Sequence, residues 1–172
     1  MSSDPKTRVP LRLDTLGAYI EQKLDREGAV LDLLVNGEIK GQASPEIWQI
    51  LHAAAERDGR LKELGAAYDK LAKDKKLKTL TPASQAEILT QAGAFFADVS
   101  PDPARAADMF ERALAALPGH TPAFEKLEKL LMDRQDLAKL SDLYSSAASS
   151  RGDKKQQLEL LRRATDIAAG AG

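Results

Sequence analysis

The stretch AADMFERALAALPGHTPAFEKLEKLLMDRQDLAKLSDLY, residues 106–144, carries the pattern that decides the fold. Its apolar residues recur at steps of three and four, which is the spacing of one face of an α-helix. Polar breaks at Pro118-Gly119 and Gln135-Asp136 end one helix before the next begins. The stretch therefore predicts three helices joined by short turns, and such turns place consecutive helices antiparallel.

A small polar residue followed by proline marks four predicted helix starts. The pairs are Ser44-Pro45, Thr81-Pro82, Asp102-Pro103 and Thr121-Pro122. The first side chain accepts a hydrogen bond from a free amide of the first turn, and proline fits a position whose N–H has no helical partner. Together with the apolar stripes, these starts predict about nine helices from residue 11 onward and no strand. Asn36-Gly37 is compatible with a type I′ hairpin or a helix cap, and its helical surroundings favour the cap.

The composition excludes several classes of protein. Of 172 residues, 43% are hydrophobic and 30% charged, which favours a folded domain over disorder. The 25 basic residues nearly balance the 26 acidic ones, so no excess positive charge indicates a nucleic-acid partner. The absence of cysteine excludes disulfides and thiolate sites. The stretch MSSDPKTRVP lacks a signal-peptide core, and no apolar run is long enough to span a bilayer, which predicts a cytoplasmic protein without membrane insertion.

Aromatic residues recur at matching positions of successive helix pairs. Trp48 and Tyr68 are 20 residues apart, as are Phe124 and Tyr144, and Phe110 precedes Tyr144 by 34 residues. This arrangement resembles the tetratricopeptide repeat family, whose helix pairs combine large aromatic, leucine and small residues at fixed positions. The resemblance is best over residues 106–144 and weaker over roughly 11–168. It implies an all-α fold in which antiparallel hairpins stack into a right-handed α-α superhelix.

Other positions depart from the family pattern. The small residue expected on the first helix of a pair is replaced by His52, Glu128 and Arg162, and the one on the second helix by Leu64 and Leu140. Large side chains at these positions predict a more open packing. A HEAT-like array and an ordinary helical bundle are therefore alternatives to the tetratricopeptide arrangement.

The expected organisation is one domain at 11–168 between flexible ends at 1–10 and 169–172. Its units are residues 11–41, 44–78, 81–118 and 121–151, followed by a helix at 154–168. We expect this last helix to cap the array, with a longer solenoid as the alternative. Its inward-facing stripe is predicted to be Leu158, Leu161, Ala164 and Ile167.

The resemblance also implies a binding groove lined by the first helices of the pairs. The family's groove positions fall in this chain on Gln49, Ala53, Glu56, Glu125, Lys129 and Met132. These residues lack the family's lysine and asparagine clamp for chaperone carboxyl termini, which disfavours a chaperone adaptor. Phe95 is a further candidate, because one helix face cannot bury both Phe95 and its neighbour Phe96.

No catalytic pattern is present in the sequence. The two histidines, His52 and His120, lack a third metal ligand, and their expected roles are structural. The cations at Lys70, Lys73, Lys75, Lys76 and Lys78 fit a helix C-terminus, where they complement the helix dipole.

We therefore expect a non-catalytic adaptor or scaffold without cofactor or metal that binds a peptide or a partner helix. The alternative is a structural or self-association segment, which forms homo-oligomers and has no separate ligand.

Overall fold

The structure, a computed structural model, describes residues 45–57, 59–75, 77–150 and 152–170. All regular elements in these ranges are helical and none is a strand, so the all-α prediction is confirmed. The α-helices are α1 (Pro45–Arg57), α2 (Leu61–Lys73), α3 (Pro82–Ala94), α4 (Pro103–Ala116), α5 (Thr121–Asp133), α6 (Leu137–Ser150) and α7 (Lys154–Gly170). A 3₁₀ turn (Leu77–Thr79) follows α2, and a π-helical turn (Phe95–Val99) extends α3. The predicted unit at 11–41, with Asn36-Gly37, lies outside the described residues.

Three of the four predicted helix starts are confirmed, since α1, α3 and α4 begin at the predicted prolines. Thr81 Oγ1 accepts a hydrogen bond from the amide of Ser84 at 3.2 Å. Asp102 Oδ1 accepts one from the amide of Arg105 at 3.1 Å. The fourth start is wrong by one residue, because Thr121 is already helical. His120 occupies the cap position instead, and its carbonyl accepts the first helical bond from the amide of Phe124.

The interior depends on one very close approach between helices. At Gly93 in α3, a Cβ atom would lie 2.5 Å from Cε1 of Phe110 in α4, which is closer than carbon atoms can pack. The missing side chain lets the Phe110 ring lie directly against the α3 backbone. Trp48 in α1 is also buried, with 1% of its surface exposed, as predicted from the aromatic repeat.

The helices pack against their neighbours in sequence. α5 contacts α4 and also reaches α3, while α6 contacts α5 and packs extensively against α7. The hydroxyl of Ser141 in α6 donates a hydrogen bond to the carbonyl of Ala164 in α7 at 3.1 Å, which fixes the close approach of these two helices.

The inward face of α7 differs from the prediction. Ala164 is buried, and Leu160 and Ile167 pack against the core. By contrast, 53% of Leu158 and 46% of Leu161 are exposed, so the prediction that both leucines pack inward is wrong. The contact face is rotated around the helix from the predicted stripe, because Ala164 is the residue that approaches Ser141.

Candidate functional site

The structure places most of the predicted groove residues on the surface. The side chains of Gln49, Ala53, Glu56, Glu125, Lys129 and Met132 are all exposed. Met132 is the only large apolar side chain among them, with 49% of its surface exposed. The residues belong to α1 and α5, which have no extensive contact with each other. This surface is mostly polar and offers little apolar area for a partner to bury.

Phe95 is not an exposed anchor, so this part of the prediction is wrong. Both Phe95 and Phe96 are buried, with at most 1% of either exposed. The two adjacent rings fit because they lie between α2 and α4 rather than on one helix face. A Cβ atom at Gly65 in α2 would lie 3.3 Å from Phe96 and 3.4 Å from Phe95, so this glycine makes room for both. On the other side, the guanidinium of Arg105 lies 5.4 Å from the centre of the Phe96 ring.

Two of the three large polar residues at the expected small positions, His52 and Glu128, contact tyrosine hydroxyls. Nε2 of His52 lies 2.9 Å from the hydroxyl of Tyr68, and the hydroxyl of Tyr144 donates a hydrogen bond to Glu128. Each pair joins α1 to α2 or α5 to α6, and its partners are 16 residues apart in both cases. A buried tyrosine hydroxyl needs such a partner. The departure from the family pattern is therefore a polar contact that occurs once in each of these helix pairs.

The surroundings of these pairs shift their proton affinities. Burial lowers the pKa of His52 from its usual 6.5. It raises the pKa of Tyr68 well above the usual range and, together with Glu128, raises the pKa of Tyr144 to about 12. His52 also contacts Phe95, with ring centres 5.2 Å apart. Both tyrosines therefore stay protonated near neutral pH, and His52 is enclosed by aromatic rings as part of the packing.

Neither His52 nor His120 belongs to a group of three or more metal-binding side chains within the described residues. Nε2 of His120 lies 3.8 Å from Oε2 of Glu87, which links the start of α5 to α3. Two cations of the predicted lysine cluster, Lys70 and Lys73, lie in the last turn of α2, as expected for a helix C-terminus.

An apolar groove of about 610 Å³ lies between α4 and α6 and is here named the α4–α6 groove. α5 forms its floor, since α5 packs against both helices while α4 and α6 make little direct contact. The floor and inner walls are apolar and consist of Leu114, Ala115, Pro118, Phe124, Leu127, Leu131, Leu143 and Ala147. The rim is polar and consists of Glu111, Lys139, Asp142, Ser146, Ser149 and Ser150.

The rim combines one ion pair with unpaired polar groups. Nζ of Lys139 lies 3.3 Å from Oε1 of Glu111 and bridges the groove between α6 and α4. One and two turns along α6 from Lys139, Asp142 and Ser146 are exposed and form no side-chain hydrogen bond or ion pair with the rest of the described chain. The rim thus has two carboxylates and one ammonium group. Glu111 is paired with Lys139, so the carboxylate of Asp142 and the hydroxyl of Ser146 are free to contact a ligand.

Sequence reasoning missed this groove because it placed the binding surface on the first helices of the pairs. The groove lies on the opposite side of α5 from Glu125 and Lys129. A usable signal is the run SSAASS at 145–150 in α6. Side chains this small leave space between neighbouring second helices, so Leu114 and Phe124 stay partly exposed, while Leu127, Leu131 and Leu143 are buried.

The chain matches no family model, no curated protein and no solved structure. Across the described residues, no helix has both the length and the apolar character needed to cross a membrane.

Proposed function

We propose that the protein is a non-catalytic adaptor or scaffold with a tetratricopeptide-like arrangement, which binds an amphipathic helix of a partner protein in the α4–α6 groove. The observation that carries this proposal is the elongated apolar floor of the groove beneath a polar rim. A concave surface with an apolar lining and a few polar groups at its edge is the usual form of a binding site.

The dimensions of the groove favour a helix as the ligand. Along α6 the groove runs from Lys139 to Ser150, which is about 16 Å at 1.5 Å per residue. That length accommodates about three turns of a bound helix. A helix in such a groove inserts apolar side chains spaced three and four residues apart, and keeps its polar face in water.

The charges on the rim favour a basic partner. Lys139 is paired with Glu111, whereas Asp142 has no cation among the described residues. A lysine or arginine next to the apolar stripe of the ligand would reach Asp142 at the edge of the groove. Such rim charges mainly determine which partner binds and how fast it associates.

The repeated contacts support the tetratricopeptide-like part of the proposal. Trp48 and Phe124 hold the same place relative to Tyr68 and Tyr144, and the polar partners His52 and Glu128 follow the same register. α5 also contacts both helices of the preceding pair, α3 and α4, which is how stacked hairpins bury their apolar stripes.

A binding experiment with two exposed charge reversals tests the proposal. The probes are synthetic helices of about 16 residues: a leucine stripe flanked by lysines, the same stripe flanked by glutamates, and a scrambled peptide of the first composition. We expect calorimetry to show binding of the leucine–lysine peptide, and Asp142→Lys to weaken it about tenfold or more. The matched control Glu125→Lys makes the same charge change on the face predicted from the sequence.

The outcomes distinguish the α4–α6 groove from the first-helix surface predicted from the sequence. Loss of binding in Asp142→Lys with normal binding in Glu125→Lys supports the α4–α6 groove. The reverse result would move the binding surface to the first helices, where Gln49, Ala53, Glu56, Lys129 and Met132 lie exposed. Equal affinity for the striped and scrambled peptides would refute helix binding altogether.

A further inference from the structure

The outer face of α7 carries apolar side chains that are exposed in the described part of the chain. Leu158 and Leu161 lie one turn apart and are about half exposed, although other residues of the same helix pack against α6. Thr165 and Ala168 continue this exposed stripe along the helix. α7 therefore has two apolar faces, of which only one is covered within the described chain.

Basic side chains flank the uncovered face. Lys154, Lys155 and Arg162 are exposed and form no ion pair with the described carboxylates. Arg163 lies further round the helix and is paired with Glu159 at 3.1 Å. The outer face of α7 is thus a leucine stripe with a net basic edge, in which the exposed Asp166 lies one turn from Arg162.

We propose that the α4–α6 groove binds the outer face of α7 from a second copy of this chain. The proposal deepens the proposed function, because it uses the same groove and names its occupant. The stripe from Leu158 to Ala168 is about 15 Å long, close to the length of the groove. Its basic edge meets a rim whose free charge is the carboxylate of Asp142.

The charges of the two surfaces favour the groove over a parallel pairing of two α7 helices. Such a pairing would bring Lys155 and Arg162 against the same cations of the other copy, and like charges in contact are unfavourable. Docking α7 into the groove brings opposite charges together and covers both apolar surfaces at once. Because α7 stays packed on its own α6, neither copy has to rearrange.

The resulting assembly is head-to-tail, since the two contact surfaces are different. Each bound pair leaves one groove and one α7 face free, so further copies can add at both ends. The size of the assembly should therefore increase with protein concentration and decrease with salt, because the contact includes a rim charge.

Two variants of the intact chain test this proposal by sedimentation velocity between about 10 µM and 1 mM. Leu158→Glu/Leu161→Glu changes only the outer face of α7, and Asp142→Lys/Ser146→Arg changes only the groove rim. All four side chains are exposed, so both variants should keep the helical circular dichroism of the wild type. We expect the wild type to form growing chains, and each variant alone to stay monomeric with its association weakened about a hundredfold.

The decisive sample is an equimolar mixture of the two variants. One keeps an intact groove and the other keeps an intact α7, so the mixture should form heterodimers and nothing larger. Glu125→Lys serves as the control and should associate like the wild type. Self-association of the groove variant alone, or a mixture that stays monomeric, would overturn the proposal.

The leucine–lysine peptide distinguishes the two proposals from each other. A wild-type chain that binds this peptide but stays monomeric at every concentration refutes docking of α7 and leaves the groove as a site for other helices. A chain that neither binds the peptide nor associates refutes both.

Discussion

Gly93 provides a sharp test of the packing, because the structure reverses the usual effect of its replacement by alanine. In a helix interior, Gly→Ala normally stabilises a protein by about 1 kcal/mol. At Gly93 the new Cβ atom would meet three ring atoms of Phe110 at 2.5, 2.6 and 2.9 Å. Favourable carbon contacts lie near 3.5–4.0 Å, so α3 and α4 would have to move apart by about 1 Å.

The energetic balance follows from these distances. Overpacking of a core costs about 1–3 kcal/mol, and the Phe110 ring is 1% exposed, so it cannot turn towards solvent. Subtracting the propensity gain of about 1 kcal/mol from the upper half of that range leaves a net loss of about 1–2 kcal/mol. For a protein of this size, we expect Gly93→Ala to lower the melting temperature by about 3–6 °C.

Urea and thermal unfolding of four proteins measure this effect: the wild type, Gly93→Ala, Phe110→Leu and the double variant. The smaller leucine makes room for the new methyl group, so the double variant should be more stable than the sum of the two single changes predicts. Gly65→Ala is the graded control, because its Cβ contacts of 3.3 and 3.4 Å are much less severe. A Gly93→Ala protein as stable as the wild type, or more so, would show that α3 and α4 do not cross at this point.

Three further predictions concern the aromatic core. Trp48→Ala should lower the free energy of unfolding by about 3–5 kcal/mol, and a loss below about 1 kcal/mol in urea would contradict its burial. Burial keeps the folded-state pKa of His52 below 6.5, so the unfolded chain takes up its proton first. Stability should therefore fall as the pH drops below 6.5, and His52→Gln should flatten that slope in urea titrations at several pH values. A double-mutant cycle with Tyr144→Phe and Glu128→Ala should give a coupling of about 1–2 kcal/mol, and a value near zero would exclude their hydrogen bond.

The helix boundaries could be predicted because they depend on local chemistry. Pro45, Pro82 and Pro103 begin helices as the sequence indicated, since capping and the missing proline N–H act within one turn. The N-cap of α5 is His120 and not the predicted Thr121, and the sequence alone does not determine on which residue the preceding turn ends. Burial of Trp48 and Tyr68 was also predictable, because large aromatics at helical spacing seldom remain outside a core.

Contacts between helices could not be predicted in the same way. Nothing near Phe95 in sequence reveals that Gly65 leaves space for its ring, so the adjacent phenylalanines suggested one exposed side chain where the structure buries both. Likewise, His52 and Glu128 appeared incompatible with a tight helix pair until their tyrosine partners were placed opposite them. The rotation of α7 follows from the close approach of Ser141 and Ala164, which depends on two helices at once.

The groove and the outer face of α7 arise from opposite imbalances in side-chain size. α6 has small residues at Ser146, Ala147 and Ser150, which leave Leu114 of α4 and Phe124 of α5 partly exposed in the groove. α7 has large residues at Leu158 and Leu161, which exceed what its contact with α6 can cover. Within the described chain, the α4–α6 groove therefore has apolar side chains with unfilled space above them, and α7 has apolar side chains that the other residues leave about half exposed. Docking α7 into the groove of its own copy would require it to leave α6, and the Ser141–Ala164 hydrogen bond opposes that movement. The proposed association of two copies would cover both surfaces without disturbing this contact, since each copy keeps its own packing of α7 on α6.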